Sequence, residues 1–148
     1  MAYSDLRIGR YSALGMTYHI TTVTRNRAPI FRDFHAARSV VIQLKMMHDE
    51  GRAETLCYVL MPDHLHWLMT LRAGGLSDAV RRLKGRTARA IGGPVWQPNY
   101  YGHGVRSDED LRKLARYIVA NPLRSGLVDR IGAYPWWDSV WLDAGLSG

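Results

Sequence analysis

The sequence predicts an α+β fold: an antiparallel four-stranded sheet built in the order β-α-β-β-α-β, followed by a further C-terminal helix. Two observations predict it. Segments rich in β-branched and aromatic residues alternate along the chain with segments whose apolar residues recur at helical spacing. Two strand-like segments, 53–61 and 64–71, are separated only by Pro62 and Asp63, which predicts a hairpin within that order.

The first half of the chain accounts for a strand, a helix and the hairpin. The segment 17–26, "TYHITTVTRN", is rich in β-branched and aromatic residues and ends in polar ones, which predicts a strand followed by a turn. From His35 to Glu50 the apolar residues keep helical spacing, and Gly51 is placed to end the helix. The hairpin strands "AETLCYVLM" and "HLHWLMTL" come next.

The second half supplies another helix, the fourth strand and the last helix. After two glycines, a helix is predicted from about Ser77, an N-cap candidate, to Ala90. The segment 95–106, "VWQPNYYGHGVR", is β-like, and the last helix begins after its N-cap candidate Ser107 and ends near Pro122. This plan is common to ferredoxin-like and RRM-like sheets. The aromatic tail "YPWWDSVW" is expected to pack on the domain.

Length and composition are those of one globular domain spanning residues 1–148. The chain is 47% hydrophobic and 22% charged, and no apolar run is long enough to cross a bilayer. The first ten residues lack the apolar core of a signal peptide, so we expect a cytoplasmic protein with no membrane partner. The single cysteine, Cys57, excludes an intramolecular disulfide and is expected to be a small buried hydrophobe.

Positive charge is concentrated in one part of the chain. Twenty Lys and Arg against thirteen Asp and Glu give a net charge of +7 and a pI near 9.9, a balance that nucleic-acid-binding proteins use. The stretch from Ala79 to Ser107 has no acidic residue and six basic ones: Arg81, Arg82, Lys84, Arg86, Arg89 and Arg106. These side chains either follow a nucleic-acid backbone or form a solvated helix face, and both interpretations fit the pattern.

Two histidines interrupt the apolar stretch "VLMPDHLHWLMTL". Successive side chains of a strand point to opposite faces, so His64 and His66 share one face while Leu65 and Trp67 line the other. Imidazoles side by side on a strand can bind one divalent metal ion, provided that another element supplies a third ligand. The structural alternative is that one histidine packs in a partly buried site and the other faces solvent.

The last helix offers that third ligand and a nucleophile. Tyr117 and Asn121 lie one turn apart on the margin of its apolar stripe, so both can face the same neighbour. Tyrosine can act as a nucleophile and an amide oxygen can bind a metal, although a rim tyrosine and a C-terminal cap would give the same pattern. A protonated phenol is a weak nucleophile. Positive charge is therefore needed nearby, from the metal, Arg116 or Lys113.

Several segments together resemble a known family. They are "MPDHLHWLM", "WQPNYYGHGVR" and "LARYIVANPLRSGLV", preceded by "GMTYHITTVTRNRAPIF" and followed by "YPWWDS". Over residues 15 to about 138 the chain resembles the single-tyrosine HUH transposases, in particular the REP-associated tyrosine transposases. The resemblance implies that His64 and His66 form the HUH pair, that Tyr117 is the DNA nucleophile, and that Asn121 completes a site for Mg²⁺ or Mn²⁺.

The resemblance also implies a segment that shapes the DNA and active-site surface: Trp96, Gln97, Tyr101, His103 and Arg106. The candidates for stacking on bases are Trp96, Tyr100 and Tyr101, and core packing is the alternative for these aromatic rings. Many relatives carry an acidic residue where this chain has Gly102, so any role for an aspartate at this position is unfilled here.

The expected function is metal-dependent cleavage and rejoining of single-stranded DNA through a 5′-phosphotyrosine. The expected partner is hairpin DNA formed by repetitive extragenic palindromes, and the protein is a transposase or a domesticated relative associated with the nucleoid. No nucleotide cofactor is expected, because the covalent bond conserves the energy of the phosphodiester. We favour a monomer over a homodimer. Two alternatives are a metal-dependent hydrolase that uses water and a non-catalytic RRM-like nucleic-acid-binding domain.

Overall fold

The helices and strands follow the predicted order, which is confirmed. The computed structural model describes residues 13–141, so the first ten residues, where no signal peptide is expected, lie outside the described part. The strands are β1 Thr17–Val23, β2 Ala53–Met61, β3 His64–Leu71, β4 Tyr101–Val105 and β5 Trp137–Ser139. The helices are α1 Phe34–Asp49, α2 Leu76–Ile91, α3 Asp108–Val119 and the single turn α4 Asn121–Arg124. None of these described helices has the length and apolar character that crossing a bilayer requires.

The strands form one sheet in the order β4-β1-β3-β2-β5, with antiparallel pairing throughout. Its first four strands are the ferredoxin-like arrangement expected from the sequence. The fifth strand was not predicted. It pairs with the outer edge of β2, where Trp137 lies opposite Val59. A strand of three residues carries no usable alternation, so the sequence indicated only that the aromatic tail packs on the domain.

One face of the sheet packs against α1 and α2 and forms the larger hydrophobic core. The buried side chains there include Ile20 from β1, Leu65 and Trp67 from β3, Val40 from α1 and Leu83 from α2. Because side chains alternate along a strand, burying Leu65 and Trp67 on this side directs His64 and His66 to the opposite side. The predicted facing of β3 is therefore confirmed.

α3 covers part of the opposite face of the sheet. Its buried side chains pack against β2 and β3 in a second cluster that contains Cys57, Val59, Leu68, Leu111, Ala115 and Ile118. Cys57 is buried, as expected for a small hydrophobe. Since Leu68 lies on the same face of β3 as the two histidines, α3 is on the histidine side of the sheet.

Capping explains one of the helix starts and corrects one prediction. Ser107 caps α3, as predicted, by accepting a hydrogen bond from the backbone N–H of Asp110 at 3.1 Å. Ser77 does not cap α2, because that helix begins one residue earlier, after Gly75. The Ser77 hydroxyl instead lies 3.0 Å from the Tyr100 hydroxyl. It therefore ties α2 to the segment before β4.

Candidate active site

Four histidines form a row across three neighbouring strands. The ring centroids of His64 and His66 are 5.0 Å apart, those of His66 and His19 are 5.2 Å apart, and those of His19 and His103 are 5.3 Å apart. His19 on β1 was not singled out from the sequence. The available signal was its position between two core residues, Tyr18 and Ile20, which turns it to the opposite face. Only the register of β1 against β3 and β4 brings it to the other rings.

The tautomer of His64 is fixed by its neighbour. Its Nδ1 lies 2.7 Å from a carboxylate oxygen of Asp63, and the other oxygen of Asp63 accepts from Arg27 at 3.0 Å. Burial alone would raise the pKa of Asp63, but the hydrogen bonds and charges of His64 and Arg27 outweigh it and lower that pKa. The ionised carboxylate only accepts, so Nδ1 of His64 carries the proton, and Nε2 of a neutral ring keeps its lone pair.

His66 is half-buried beside β1. Its Nδ1 lies 3.0 Å from Nε2 of His19 and 3.1 Å from Oγ1 of Thr21. Burial, and then the charges of His19, His64 and Arg124, lower the pKa of His66 to about 3. Burial also lowers the pKa of His19 to about 4. Both rings are therefore neutral at physiological pH, which is the form that binds a metal.

Tyr117 and Arg124 form a stacked pair at the end of α3. The guanidinium carbon of Arg124 lies 3.8 Å from the centroid of the Tyr117 ring, and the tyrosine is 60% exposed. Arg124 is also near enough to His66 to lower the pKa of that histidine. One side chain thus connects the tyrosine electrostatically with the histidine row. Arg124 was missed by the sequence reasoning, which named Arg116 and Lys113 instead. Lys113 pairs with Glu109 at 3.2 Å.

Asn121 begins α4 and is separated from the end of α3 only by Ala120. Its side-chain amide nitrogen donates to the carbonyl of Ile118 at 3.2 Å, so the capping role considered for it is present. With the nitrogen held, the amide oxygen is the end of the side chain that can serve as a ligand. Within residues 13–141, no group of three or more His, Cys, Asp or Glu is arranged to hold a metal ion. The predicted third ligand beside His64 and His66, the amide oxygen of Asn121, is not a group of these four types.

Two aromatic candidates for base stacking lie in the core. Trp96 is 8% exposed and donates from Nε1 to the Thr87 hydroxyl at 2.8 Å, and Tyr100 is 9% exposed. The structural interpretation therefore holds for Trp96 and Tyr100, because neither ring is open to a nucleobase. Tyr101 differs, since alternation along β4 leaves its side chain 48% exposed. Gln97 lies between these groups, half-buried, and its backbone N–H donates to the carbonyl of Val23 at 3.0 Å.

The basic series of α2 lies on the other side of the sheet from the histidines, because α2 belongs to the larger core. Lys84 is committed to structure: its Nζ donates to the carbonyls of Gln97 and Asn99, each at 2.9 Å. Three more side chains face acidic partners, namely Arg81 and Arg82 with Asp78 and Arg86 with Glu50. Arg89 is exposed. The structure thus places this basic series on the α2 side of the sheet, away from the histidines, and its role in following a nucleic-acid backbone stays a prediction.

β4 contributes exposed groups next to the histidine row. His103 and Arg106 are both exposed, and the ring of His103 contacts that of His19. Gly102 has the opposite orientation. It lies opposite Ile20, and a Cβ added to it would come within 2.9 Å of the Ile20 side chain and 3.3 Å of the Tyr100 ring. An acidic side chain at position 102 would therefore enter the larger core and not the histidine face.

Comparison with known proteins confirms the resemblance. The sequence matches the family model described as "Transposase IS200 like" over residues 12–121. It is 29% identical over 132 residues to the REP-associated tyrosine transposase of Escherichia coli strain K12, in an alignment that covers 86% of this chain and 78% of the relative.

Solved structures show the same fold. The structure of a REP-associated tyrosine transposase bound to a REP hairpin matches with a TM-score of 0.73 at 27% identity, covering 86% of this chain and 79% of that chain. A crystal structure from Deinococcus radiodurans R1 matches with a TM-score of 0.55 at 24% identity, covering 74% of this chain and 93% of that chain, and shows the fold alone. The chain belongs to the IS200-like transposase family, a family of DNA-processing enzymes.

Proposed function

We propose that the protein cleaves and rejoins single-stranded DNA, with Tyr117 as the nucleophile and with His64, His66 and Asn121 as ligands of Mg²⁺ or Mn²⁺. The observation that carries the proposal is the position of Arg124. Its guanidinium stacks on Tyr117 at 3.8 Å and its charge acts on His66. A phosphate that reached this cation would lie beside both the phenol and the histidines, as an in-line attack requires.

The donor atoms fit a divalent ion. Nδ1 of His64 and Nδ1 of His66 are both engaged by the protein, which directs Nε2 of each ring to a ligand. The amide oxygen of Asn121 is the remaining donor, since its nitrogen caps α3. All three ligands are neutral, so the double charge of the ion is left for phosphate oxygens. When bound, the ion supplies Lewis-acid polarisation of the scissile phosphate.

The chemistry at Tyr117 is a transesterification. Its phenolic oxygen loses a proton and forms a bond to phosphorus, while the bond from phosphorus to the 3′ oxygen breaks and that oxygen takes up a proton. Arg124, on the face of the ring, stabilises the negative charge that develops on the phenol oxygen. The product is a 5′-phosphotyrosine and a free 3′-OH. A 3′-OH of another strand end can reverse the step, so rejoining consumes no nucleotide cofactor.

The substrate we infer is hairpin DNA with single-stranded flanks. The related transposase that matches at 27% identity was solved with a REP hairpin, which supports the same class of DNA here. Exposed Tyr101 and His103 on β4, and exposed Arg106 just after it, suit an unpaired strand, through ring stacking and phosphate contacts. Because Arg124 stacks on Tyr117 and also acts electrostatically on His66 of the same chain, we infer a monomer that carries its tyrosine in cis.

The two alternatives make different demands on the same site. A non-catalytic RRM-like module would present aromatic rings for stacking on its central strands, whereas β1 and β3 present His19, His64 and His66 on the open face. A hydrolase that uses water would need no stacked cation on Tyr117. Both alternatives predict that no covalent link between protein and DNA ever forms.

The test is covalent trapping. Wild-type protein is incubated with labelled hairpin DNA carrying single-stranded flanks and Mn²⁺, and a denaturing gel is read for a protein–DNA adduct. We expect the adduct for wild type and none for Tyr117→Phe. The matched control is Tyr134→Phe, which removes a hydroxyl bonded to the carbonyl of Leu60 and should leave the adduct in place. An adduct that survives in Tyr117→Phe would overturn the assignment of the nucleophile.

A further inference from the structure

We propose that the segment directly after β1 carries a binding surface for backbone phosphates of the unpaired DNA strand, next to the scissile phosphate. This surface, the basic rim, consists of Arg25, Arg27 and Arg32. It is separate from the basic series of α2 and from the stacked pair at the end of α3. Its role rests on the proposed function, because it adds a further contact surface for the same DNA substrate.

The segment that carries the rim surrounds the turn that leads into His64. The backbone N–H of Thr24 donates to the carbonyl of Asp63 at 2.9 Å, and the backbone N–H of Phe31 donates to the carbonyl of Pro62 at 3.0 Å. The segment is therefore fastened near both of its ends to the two residues that precede this proposed metal ligand. The rim thus lies at the end of the sheet where β3 begins.

The backbone turns back sharply within this segment. Asn26 and Arg27 have φ angles of 56° and 51°, in the left-handed region that residues other than glycine seldom adopt. The Thr24 hydroxyl donates to the carbonyl of Ala28 at 2.8 Å, and the guanidinium of Arg27 donates to the carboxylate of Asp63 at 3.0 Å. Contacts of this kind hold an unfavourable conformation in place, and such conformations are frequent in ligand-binding segments. The turn is a fixed support for the side chains that it carries.

Uncompensated positive charge distinguishes the rim from α2. Arg25 and Arg32 are exposed, and neither forms an ion pair within the part of the chain that the structure describes. No acidic residue occurs between Ala13 and Arg32, whereas three arginines of α2 face acidic partners. The next carboxylate along the chain, that of Asp33, caps α1. Two guanidinium groups beside the proposed site are therefore available to an anion.

A phosphodiester backbone is the partner that fits these two arginines. A guanidinium binds phosphate oxygens through paired hydrogen bonds and stays charged at physiological pH. A strand whose scissile phosphate lies at His64 meets the rim when it leaves the sheet over the end where β3 begins. The phosphates next to the scissile one belong to the unpaired flank in the proposed reaction, so the flank is the part of the substrate that Arg25 and Arg32 contact. Phosphate contacts add affinity but no preference for a base sequence.

Fluorescence anisotropy of labelled DNA in the presence of a chelator measures binding without cleavage. The variant Arg25→Gln/Arg32→Gln should bind a hairpin with unpaired flanks roughly tenfold more weakly than wild type, and its salt dependence should be shallower by about 0.7 for each lost phosphate contact. A hairpin without flanks should bind equally to both proteins. Because both arginines are exposed and unpaired, the thermal unfolding of the variant should match that of wild type.

Two further variants separate position from net charge. Arg25→Lys/Arg32→Lys keeps both positive charges and should restore most of the affinity. Lys45→Gln/Arg72→Gln is the matched control, because it removes two positive charges from exposed side chains on α1 and at the far end of β3. It should bind the flanked hairpin nearly as wild type does.

The possible failures look different. Wild-type protein that does not bind the flanked hairpin would remove the proposed function, and the rim with it. Tight wild-type binding that weakens equally in the rim variant and in the control variant would overturn the rim alone, because only net charge would then matter. An equal loss of affinity for the hairpin without flanks would place the arginines on the paired stem and overturn their assignment to the unpaired strand.

Discussion

The guanidinium of Arg124 lies over the ring of Tyr117, with its carbon 3.8 Å from the ring centroid. The two residues belong to different helical segments, α3 and α4, joined by a single residue between Val119 and Asn121. That tight junction is what turns Arg124 back onto the preceding helix. A side chain seven positions along the chain thus stacks on the ring of the proposed nucleophile.

Replacing Arg124 should slow the attack of the tyrosine without abolishing it. We expect Arg124→Ala to lower the single-turnover rate of adduct formation about tenfold, equivalent to about 1.4 kcal/mol, because an exposed stacked cation contributes energies of this order. Arg116→Ala, one residue before Tyr117 on the exposed side of α3, is the matched control and should change the rate little. A larger loss in Arg116→Ala than in Arg124→Ala would show that the stacked pair is not the one that supports the phenol.

Removing the carboxylate of Asp63 should weaken metal binding through His64. The carboxylate accepts from Nδ1 of His64 at 2.7 Å, so Asp63→Ala frees the ring to rotate and to take up the wrong tautomer. We expect Mn²⁺ affinity to fall roughly 10–100-fold, as for other outer-shell partners of ligating histidines. Equilibrium titration with Mn²⁺ in the absence of DNA measures this affinity.

Arg27→Ala separates this effect from the loss of the neighbouring ion pair. Arg27 contacts the other oxygen of Asp63, and its own side chain is 64% exposed, so the pair contributes about 1 kcal/mol or less to stability. We expect Arg27→Ala to bind Mn²⁺ nearly as wild type does. Equal losses in the two variants would mean that the ion pair, and not the bond to His64, controls the site.

The buried rings should make the metal-free protein less stable in mild acid. Burial lowers the pKa of His66 to about 3 and that of His19 to about 4, both from an ordinary value of 6.5. Below pH 6.5 these two histidines therefore become protonated in the unfolded chain but stay neutral in the folded protein. The free energy of unfolding consequently falls as the pH falls toward 4. Each ring contributes at most about 1.4 kcal/mol per pH unit in this window, and nothing above it.

Urea unfolding with a chelator at pH 7.5, 6 and 5 checks this slope. His66→Gln removes one of the two titrating rings, so its free energy of unfolding should depend less steeply on pH than that of wild type. Equal stability of wild type at pH 7.5 and pH 5 would contradict the burial of these rings.

The sequence predicted the order of elements and the facing of β3 because both depend on local periodicity. Alternation alone assigned His64 and His66 to the side opposite Trp67, and it required no knowledge of neighbouring strands. The position of His19 needed the register of β1 against β3, which is set by long-range packing and not by any local pattern. For this reason His19 was not among the predicted site residues.

The sequence could not assign the basic and aromatic candidates to a layer of the fold, for a related reason. Composition shows that the chain contains basic and aromatic side chains, but it does not show on which side of the sheet they lie. Lys84 sits within reach of the 97–99 carbonyls, and the indole of Trp96 lies beside Thr87, so both are used inside the domain. Arg124 was missed because Pro122 was expected to end the helical structure. The short helix that begins at Asn121 instead continues past Pro122 and brings Arg124 back to the site.

Enlarging Gly102 should destabilise the fold although it lies close to the active-site strand. A Cβ at position 102 would come within 2.9 Å of the Ile20 side chain, which is fully buried, so Gly102→Ala overpacks the larger core and should cost about 1–3 kcal/mol. Gly104→Ala is the matched control on the same strand, since its Cβ would meet its nearest neighbour at an ordinary 3.5 Å. Thermal and urea unfolding measure the difference.

A second substitution identifies the cause of that loss. Ile20→Val shortens the side chain that a Cβ at Gly102 would strike, so the double variant should be more stable than the sum of the two single losses predicts. Gly102→Asp should cost more than Gly102→Ala, because it adds a carboxylate to apolar surroundings. If Gly102→Asp were as stable as wild type and raised the affinity for Mn²⁺, the side chain would have reached the histidine face. The orientation of β4 described here would then be wrong.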